Sequence, residues 1–147
     1  MTLEPPTVTL EQVENFEFTV DFGNPAWAPQ RIDAPSADGK GTGPSAGQNL
    51  ALAVGQCMSS TLVYTLERAR VPVSKMTTRV RLTMGTNERG RHRVRKLEVE
   101  IQTAPLHEED RGRFDQCVAT FEDFCPISGA VREGTPTELH VVEHSGT

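Results

Sequence analysis

Three cysteines, Cys57, Cys117 and Cys125, are the residues of this chain best suited to chemistry. They are odd in number and form no Cys-x-x-Cys pair, which does not make the disulfide framework of a small secreted domain. The histidines His92, His107, His140 and His144 show no metal-ligand spacing with them and read as surface residues, so no metal site is expected. In a reducing compartment each thiol is either a small buried hydrophobe or a reactive group. Cys117 sits on the apolar face of a helix and reads as packing, and Cys57, mid-helix, carries the same default. Cys125 differs. It directly precedes Pro126, which can open a helical turn, so its sulfur lies near unpaired backbone N–H groups that favour the thiolate.

The element that must position Cys57 is the stretch GPSAGQNLALAVGQCMSSTLVYTLERAR, Gly43 to Arg70. Leu50, Val54, Cys57, Met58, Leu62 and Leu66 recur at spacings of three and four, and Ala51, Leu52 and Ala53 widen the stripe. The pattern predicts a helix from Ser45 to Arg70, buried on more than one side and stopped by Pro72. Cys57 then lies about three turns in.

Around this helix, residues 1–12 read as a loose arm containing Pro5 and Pro6. Phe16, Phe18, Val20 and Phe22 alternate with Glu17, Thr19 and Asp21 as a half-buried strand, and Gln30 to Ala34 could form a second. Pro35 to Gly43 is a flexible loop. Met76, Thr78, Val80, Leu82 and Met84 mark one arm of a hairpin, with a turn at Asn87 to Gly90 and a partner strand over Arg91 to Thr103. Pairing Thr86 with Arg91 sets Val80 opposite Leu97 and Met76 opposite Ile101. The same register sets Leu82 and Met84 opposite Arg95 and Arg93, so the turn end overhangs the core, contains a bulge, or meets another chain. Leu106 to Phe124 reads as a second helix burying Phe114, Cys117, Val118 and Phe121, Pro126 to Arg132 as a short helical turn, and Leu139, Val141 and Val142 as a last strand. Strands, long helix, hairpin, helix and strand in one domain over residues 1–147 make an α+β fold.

The formal charge of -5 and pI near 5.4 argue against a nucleic-acid binder, and Arg79, Arg81, Arg89, Arg91, Arg93 and Arg95 of the hairpin read as a solvated face. No apolar run approaches the roughly 20 residues of a membrane span, and the N-terminus lacks signal-peptide character. A soluble, cytoplasmic protein is the expectation.

Two segments together carry a resemblance: GPSAGQNLALAVGQC, and 68 residues after Cys57 (125 − 57) FEDFCPISGAVREG. At this separation and with this order of elements, the chain resembles the OsmC/Ohr family of osmotically inducible and organic-hydroperoxide-resistance proteins, from the Phe16 strand through Val142, and within it a divergent branch. The resemblance implies an intertwined homodimer with sites at the subunit interface. It also implies a two-cysteine thiol peroxidase needing no metal, flavin or haem. Cys57 matches the cysteine that attacks an organic hydroperoxide and Cys125 the resolving cysteine, with an external dithiol as reductant. Active peroxidases of the family carry a glutamate ten residues before the first cysteine, paired with an arginine. Here that position is Gly47, Gln48 follows it, and Arg31 is the one arginine upstream of Arg68. The missing carboxylate leaves a second reading open, a non-catalytic protein binding a small hydrophobic or electrophilic ligand in the dimer-interface cleft. Local electrostatics favour Cys125 as the more reactive thiol, whereas the resemblance assigns first attack to Cys57.

Overall fold

The computed structural model describes residues 4–34 and 39–143. Its elements in chain order are β1 (Thr9–Glu14), β2 (Glu17–Asp21), β3 (Gln30–Ile32), α1 (Ala46–Arg68), β4 (Thr77–Thr86), β5 (His92–Gln102), α2 (Arg111–Thr120) and α3 (Pro126–Glu133), with 3-10 turns at Glu108–Asp110 and Phe121–Phe124. β1, β2 and β3 form an antiparallel sheet in that order and β4 pairs with β5, an α+β architecture. The chain divides into two compact units. The first takes the residues up to Gly55 and Arg79–Glu100; the second takes Gln56–Thr78 and the residues from Ile101 onward.

In the first unit, Thr9–Glu14 is a strand and not part of a loose arm, because Asn15 takes a left-handed conformation (φ 49°) that turns the chain back onto β2. The register slips between Gln12 and Glu14, a bulge that the weak alternation of this segment does not announce. Glu17 is also misplaced by alternation alone: it is 4% exposed, and its carboxylate pairs with the Arg31 guanidinium on β3, while Phe16 and Phe22 are exposed. Thr19 lies opposite Arg31, so Glu17 and Arg31 are diagonal neighbours on one sheet face.

Beyond β3, Asp33 organises the approach to α1. Its carboxylate accepts the amide N–H groups of Ala34 (2.8 Å), Lys40 (2.9 Å) and Thr42 (3.2 Å) and the Thr42 hydroxyl (3.3 Å). Burial alone would raise its pKa; the bonds from Thr42, Ala34 and Lys40 outweigh that and hold it below the usual value. Residues 35–38 of the expected loop lie outside the described residues. α1 then opens with a capping box: the Gln48 amide N–H donates to Ser45 Oγ (3.1 Å) and the Ser45 amide N–H to Gln48 Oε1 (2.8 Å).

The β4–β5 turn closes at Asn87 and Arg91, not at Thr86 and Arg91. The Asn87 amide donates to Arg91 O (2.9 Å), the Gly90 amide to Asn87 O (3.0 Å), and Gly90 sits at φ 71°. Val94 lines the same groove as Val80, Leu82 and Met84, whereas Glu98 and Glu100 line the opposite hairpin face beside Arg79 and Arg81. Strict alternation would keep Val94, Glu98 and Glu100 on one face. β5 therefore slips by one residue between Val94 and Glu98, which fits its 11 residues against 10 in β4. Of the three explanations for the mismatched register, this change of face along β5 supports the bulge. Arg79 and Glu100 (3.7 Å) and Lys96 and Glu98 (3.0 Å) form ion pairs here, so acids balance part of the arginine-rich hairpin.

The core of the second unit joins Leu62 and Leu66 of α1 to Val71, Cys117 and Phe121, with Met58, Met76, Ile101 and Phe114 packed against it. The expected second helix is shorter and less regular than its pattern, with 3-10 turns on both sides of Arg111–Thr120 and Val118 exposed. Leu139, Val141 and Val142 form no strand, and their side chains are 81–87% exposed. Leu52 likewise stays exposed, so within one chain α1 is buried on one side only over that turn. His92, His107 and His140 are exposed; His144 lies outside the described residues.

α1 ends at Arg68 in a Schellman motif: the Val71 amide donates to Leu66 O (2.9 Å), the Arg70 amide to Glu67 O (3.0 Å), and Arg70 stands at φ 59°. A glycine at that position removes the cost of placing a Cβ in left-handed geometry. Arg70→Gly is expected to raise stability by about 0.5–1 kcal/mol in chemical denaturation. The depressed Asp33 pKa makes a stabilising contribution that is present above the unfolded carboxylate pKa and lost as pH falls through the folded one. Thermal melts from pH 7 downward are expected to show a smaller acid-induced drop for Asp33→Asn than for the parent chain.

Candidate functional site

Cys57 and Cys125 lie together in the second unit. The chain reaches Cys125 through the 3-10 turn Phe121–Phe124 and leaves it through α3, whose first residue is Pro126. A residue before proline is driven out of helical geometry, and Cys125 is extended (φ −84°, ψ 107°). Its carbonyl accepts the Gly129 amide (3.1 Å) as the first helical bond of α3. The amides of Ile127 and Ser128, which no helical carbonyl precedes, face the Cys125 sulfur without closing a formal cap hydrogen bond.

The two thiols lie near enough to influence each other's ionisation, and Phe124 and Pro126, which flank Cys125, line the same cavity as Cys57. They are nevertheless in different environments. Burial pushes the Cys57 thiol up; the Ile127 amide pulls against this, and the neighbouring Cys125 thiol adds to the rise, so the net direction is upward. For Cys125 burial also acts upward, but the Ser128 hydroxyl and amide, the Cys57 thiol and the Ile127 amide together outweigh it and hold the pKa below the ordinary thiol value. The Thr61 hydroxyl near Cys57 gives the sulfur little help, because it donates its proton to the Cys57 carbonyl at 2.7 Å. The Ser128 hydroxyl reaches the Cys125 carbonyl only at 3.5 Å and is freer to turn to the sulfur.

Access separates the thiols further. Cys57 lines a cavity of ≈ 580 Å³ together with Gln56, Ser60, Thr61, Tyr64, Thr65, Arg68, Phe124 and Pro126. Cys125 is 2% exposed and is not on that lining. On α1 the residues Cys57, Thr61, Tyr64 and Arg68 stand at intervals of four, three and four, one stripe of about 16 Å along the helix axis. At its far end the Arg68 guanidinium lies over the Tyr64 ring, 5.7 Å from the centroid. Thr61, Tyr64 and Arg68 were not singled out from the sequence, although their helical spacing from Cys57 was the signal that could have found them; Ser128 had no such signal, because its role depends on the break at Pro126.

Cys117 is buried in the core beside Thr65, with its sulfur 3.9 Å from the Thr65 carbonyl, as its apolar-face position predicts. Gly47 carries no carboxylate, and Gln48 is committed to the cap of α1. Arg31 is engaged by Glu17 within the first unit, a carboxylate that strand alternation assigned to solvent. Among the described residues no group of three or more His, Cys, Asp or Glu is placed to hold a metal ion, and no helix is long and apolar enough to cross a membrane.

Two neighbouring thiols can form a disulfide, whereas Cys117 is held apart by core packing. Mild treatment with an organic hydroperoxide is expected to join Cys57 to Cys125 and leave Cys117 alkylatable after denaturation. Peptide mapping under non-reducing conditions reads this, and a Cys117-containing disulfide would contradict it.

The OsmC-like protein family model matches residues 39–140. Among solved structures, an OsmC-like protein of unknown function from Vibrio cholerae superposes with a TM-score of 0.72 at 11% identity, covering 87% of this chain and 94% of that one. The organic hydroperoxide resistance protein OhrB of Bacillus subtilis gives 0.70 at 18% identity, covering 90% and 94%. An OsmC-like protein from Mycoplasma pneumoniae gives 0.71 at 15% identity, covering 89% of each chain. At these identities the likenesses establish the fold. No curated protein matches the chain.

Proposed function

The chain belongs to the OsmC-like protein family, and on that premise we propose that it reduces organic hydroperoxides as a two-cysteine thiol peroxidase. The observation that carries the reading is the placing of two thiols side by side: Cys57 lines a largely apolar cavity together with Phe124 and Pro126, the residues that flank the buried Cys125. The Cys57 sulfur attacks the distal peroxide oxygen, the O–O bond breaks, the alcohol leaves, and Cys57 becomes a sulfenic acid. Cys125 then condenses with it, forming the disulfide and releasing water, and an external dithiol restores both thiols by exchange. The apolar walls suit an organic hydroperoxide, whose alkyl or aryl body gains from leaving water. Cumene hydroperoxide consumption in the presence of dithiothreitol or a dihydrolipoyl reductant tests this. Cys57→Ser is expected to abolish turnover to the uncatalysed background; equal consumption by both proteins overturns the proposal.

A second reading has its own support. Gly47 has no carboxylate and Arg31 is already paired with Glu17, so the charge pair that the resemblance implies is not assembled in the expected way. A protein that binds a small hydrophobic or electrophilic ligand without turning over a peroxide fits that fact. A co-purifying ligand in native mass spectrometry, with thiols that stay reduced under mild peroxide, would select this reading.

The proposed protein is a homodimer. Leu139, Val141 and Val142 stand exposed and pair with no strand among the described residues. The first unit also holds an apolar groove of ≈ 800 Å³ lined by Phe16, Phe18, Ile32, Leu82, Met84 and Val94. Apolar surfaces of this kind suit coverage by a second copy. Light scattering on the purified protein is expected to give twice the 16.1 kDa chain mass, and Val141→Asp with Val142→Asp to shift it toward the monomer. A monomeric parent chain would end the dimer proposal.

A further inference from the structure

The cavity beside Cys57 has a charged end that neither the peroxidase nor the ligand-binding reading uses. Among the described residues that line it, Arg68 is the one charged group, and no carboxylate is present. The whole chain carries a net charge of -5, so a cavity whose formal charge is positive runs against the average surface. Neighbouring cations of the second unit are engaged. Arg113 pairs with Asp110 and donates to the Ala69 carbonyl (3.2 Å), and Arg132 pairs with Glu122. Among the described residues no carboxylate pairs with Arg68.

Tyr64 holds the guanidinium in place. The cation lies over the ring, 5.7 Å from its centroid, and Arg68 Nη1 donates to the Tyr64 hydroxyl at 3.4 Å. A phenol oxygen that accepts from arginine keeps its own O–H free to donate. Two donors, one of them charged, therefore stand together where one anion can take both. The hydroxyls between this end and Cys57 do not compete for it. Thr61 donates to the Cys57 carbonyl (2.7 Å), Thr65 to the Thr61 carbonyl (2.8 Å), and Ser60 Oγ accepts from Gln56 Nε2 (2.8 Å).

The dimensions suit a small amphipathic molecule. Tyr64 and Arg68 follow Cys57 by seven and eleven residues on one helix, and Arg68 folds back over Tyr64. The charged end thus stands roughly 10–16 Å from Cys57 along the axis, at about 1.5 Å per residue. A volume of ≈ 580 Å³ is of the size that small-molecule sites take.

We propose that Arg68 and Tyr64 anchor the carboxylate of an amphipathic ligand whose apolar body lies along α1 toward Cys57. A monocarboxylate matches one cation, whereas a second negative charge would find no partner on the lining. The apolar body gains by leaving water for the largely apolar walls. The anchor does not depend on turnover. It holds a carboxylate that is only bound, and it orients toward Cys57 a hydroperoxide carried at the far end of the same molecule.

Isothermal titration calorimetry of the full chain with decanoate and with methyl decanoate tests the anchor. The parent protein is expected to bind decanoate about five-fold more tightly than the ester, the upper range for an exposed ion pair. Arg68→Gln is expected to bring the two ligands level, and Arg68→Glu to prefer decylamine to decanoate. Tyr64→Phe, which keeps the ring and loses the hydroxyl, is expected to weaken decanoate by about two-fold. Equal binding of acid and ester by the parent, or an undiminished preference for the acid in Arg68→Gln, overturns the proposal, with circular dichroism confirming that each variant is folded. Location is read by peptide mapping after iodoacetamide: decanoate is expected to slow alkylation of Cys57, and a Cys57 left unprotected at saturating decanoate overturns the placement. Cumene hydroperoxide consumption is scored separately. A protein that binds decanoate through Arg68 and consumes no hydroperoxide keeps the anchor and loses the peroxidase reading; one that consumes hydroperoxide and shows no preference for the carboxylate does the reverse.

Discussion

Pro126 is the constraint on which the site depends. Its ring excludes the residue before it from helical geometry and removes one amide that would otherwise need a partner. The helical run through Phe124 must therefore stop, Cys125 must extend, and a new helix must start one residue later. That single break gives Cys125 three properties together: a buried sulfur, two backbone amides turned toward it, and a place beside Cys57 of α1. An uninterrupted helix would instead have tied up the Ile127 and Ser128 amides in its own ladder. The donors that stabilise negative sulfur are available because the backbone was broken there.

α1 supplies the other half by presenting different stripes to different tasks. Leu62 and Leu66 are fully engaged in the core, while Cys57, Thr61, Tyr64 and Arg68 run along the cavity on an adjoining face. Cys57 is at the border of the two, held on one side and open on the other. The ends of the helix keep this arrangement in register. The reciprocal Ser45–Gln48 cap fixes where the helix begins, and the Schellman turn at Arg70 draws Val71 back onto Leu66 and into the core. Gln48 is thereby a structural residue. A carboxamide satisfying a backbone amide at the helix start is not available to orient a thiol.

Where the sequence could be read, the reason is periodicity reinforced by punctuation. α1, the hairpin strands and the Pro126 helix each carry an unambiguous period or a terminating proline, and each stands within a few residues of its expected place. Where it could not, the missing information was non-local. Glu17 alternates as a solvent-facing residue, and only the arrival of Arg31 on β3 makes its burial tolerable. β1 has too little apolar alternation to announce itself and exists because β2 pairs with it. The β5 bulge was visible as a conflict, arginines set opposite Leu82 and Met84, but its position depends on the Asn87–Arg91 closure. Leu139, Val141 and Val142 have the composition of a strand and pair with no strand among the described residues. The thiol pair was legible as two motifs, yet the asymmetry between its members required the amides and hydroxyls around each sulfur.

That asymmetry changes how the absence at position 47 bears on reactivity. A remote carboxylate and an arginine can lower the barrier to thiolate formation by organising positive charge at one sulfur. Here Gly47 has no carboxylate, Gln48 caps α1 and Arg31 pairs with Glu17. Burial pushes the Cys57 thiol above its ordinary value, while the donors around Cys125 hold that thiol below it. A higher pKa leaves less thiolate at a given pH and makes the thiolate that forms the stronger nucleophile, so the half-buried Cys57 trades abundance of the reactive form for strength of attack.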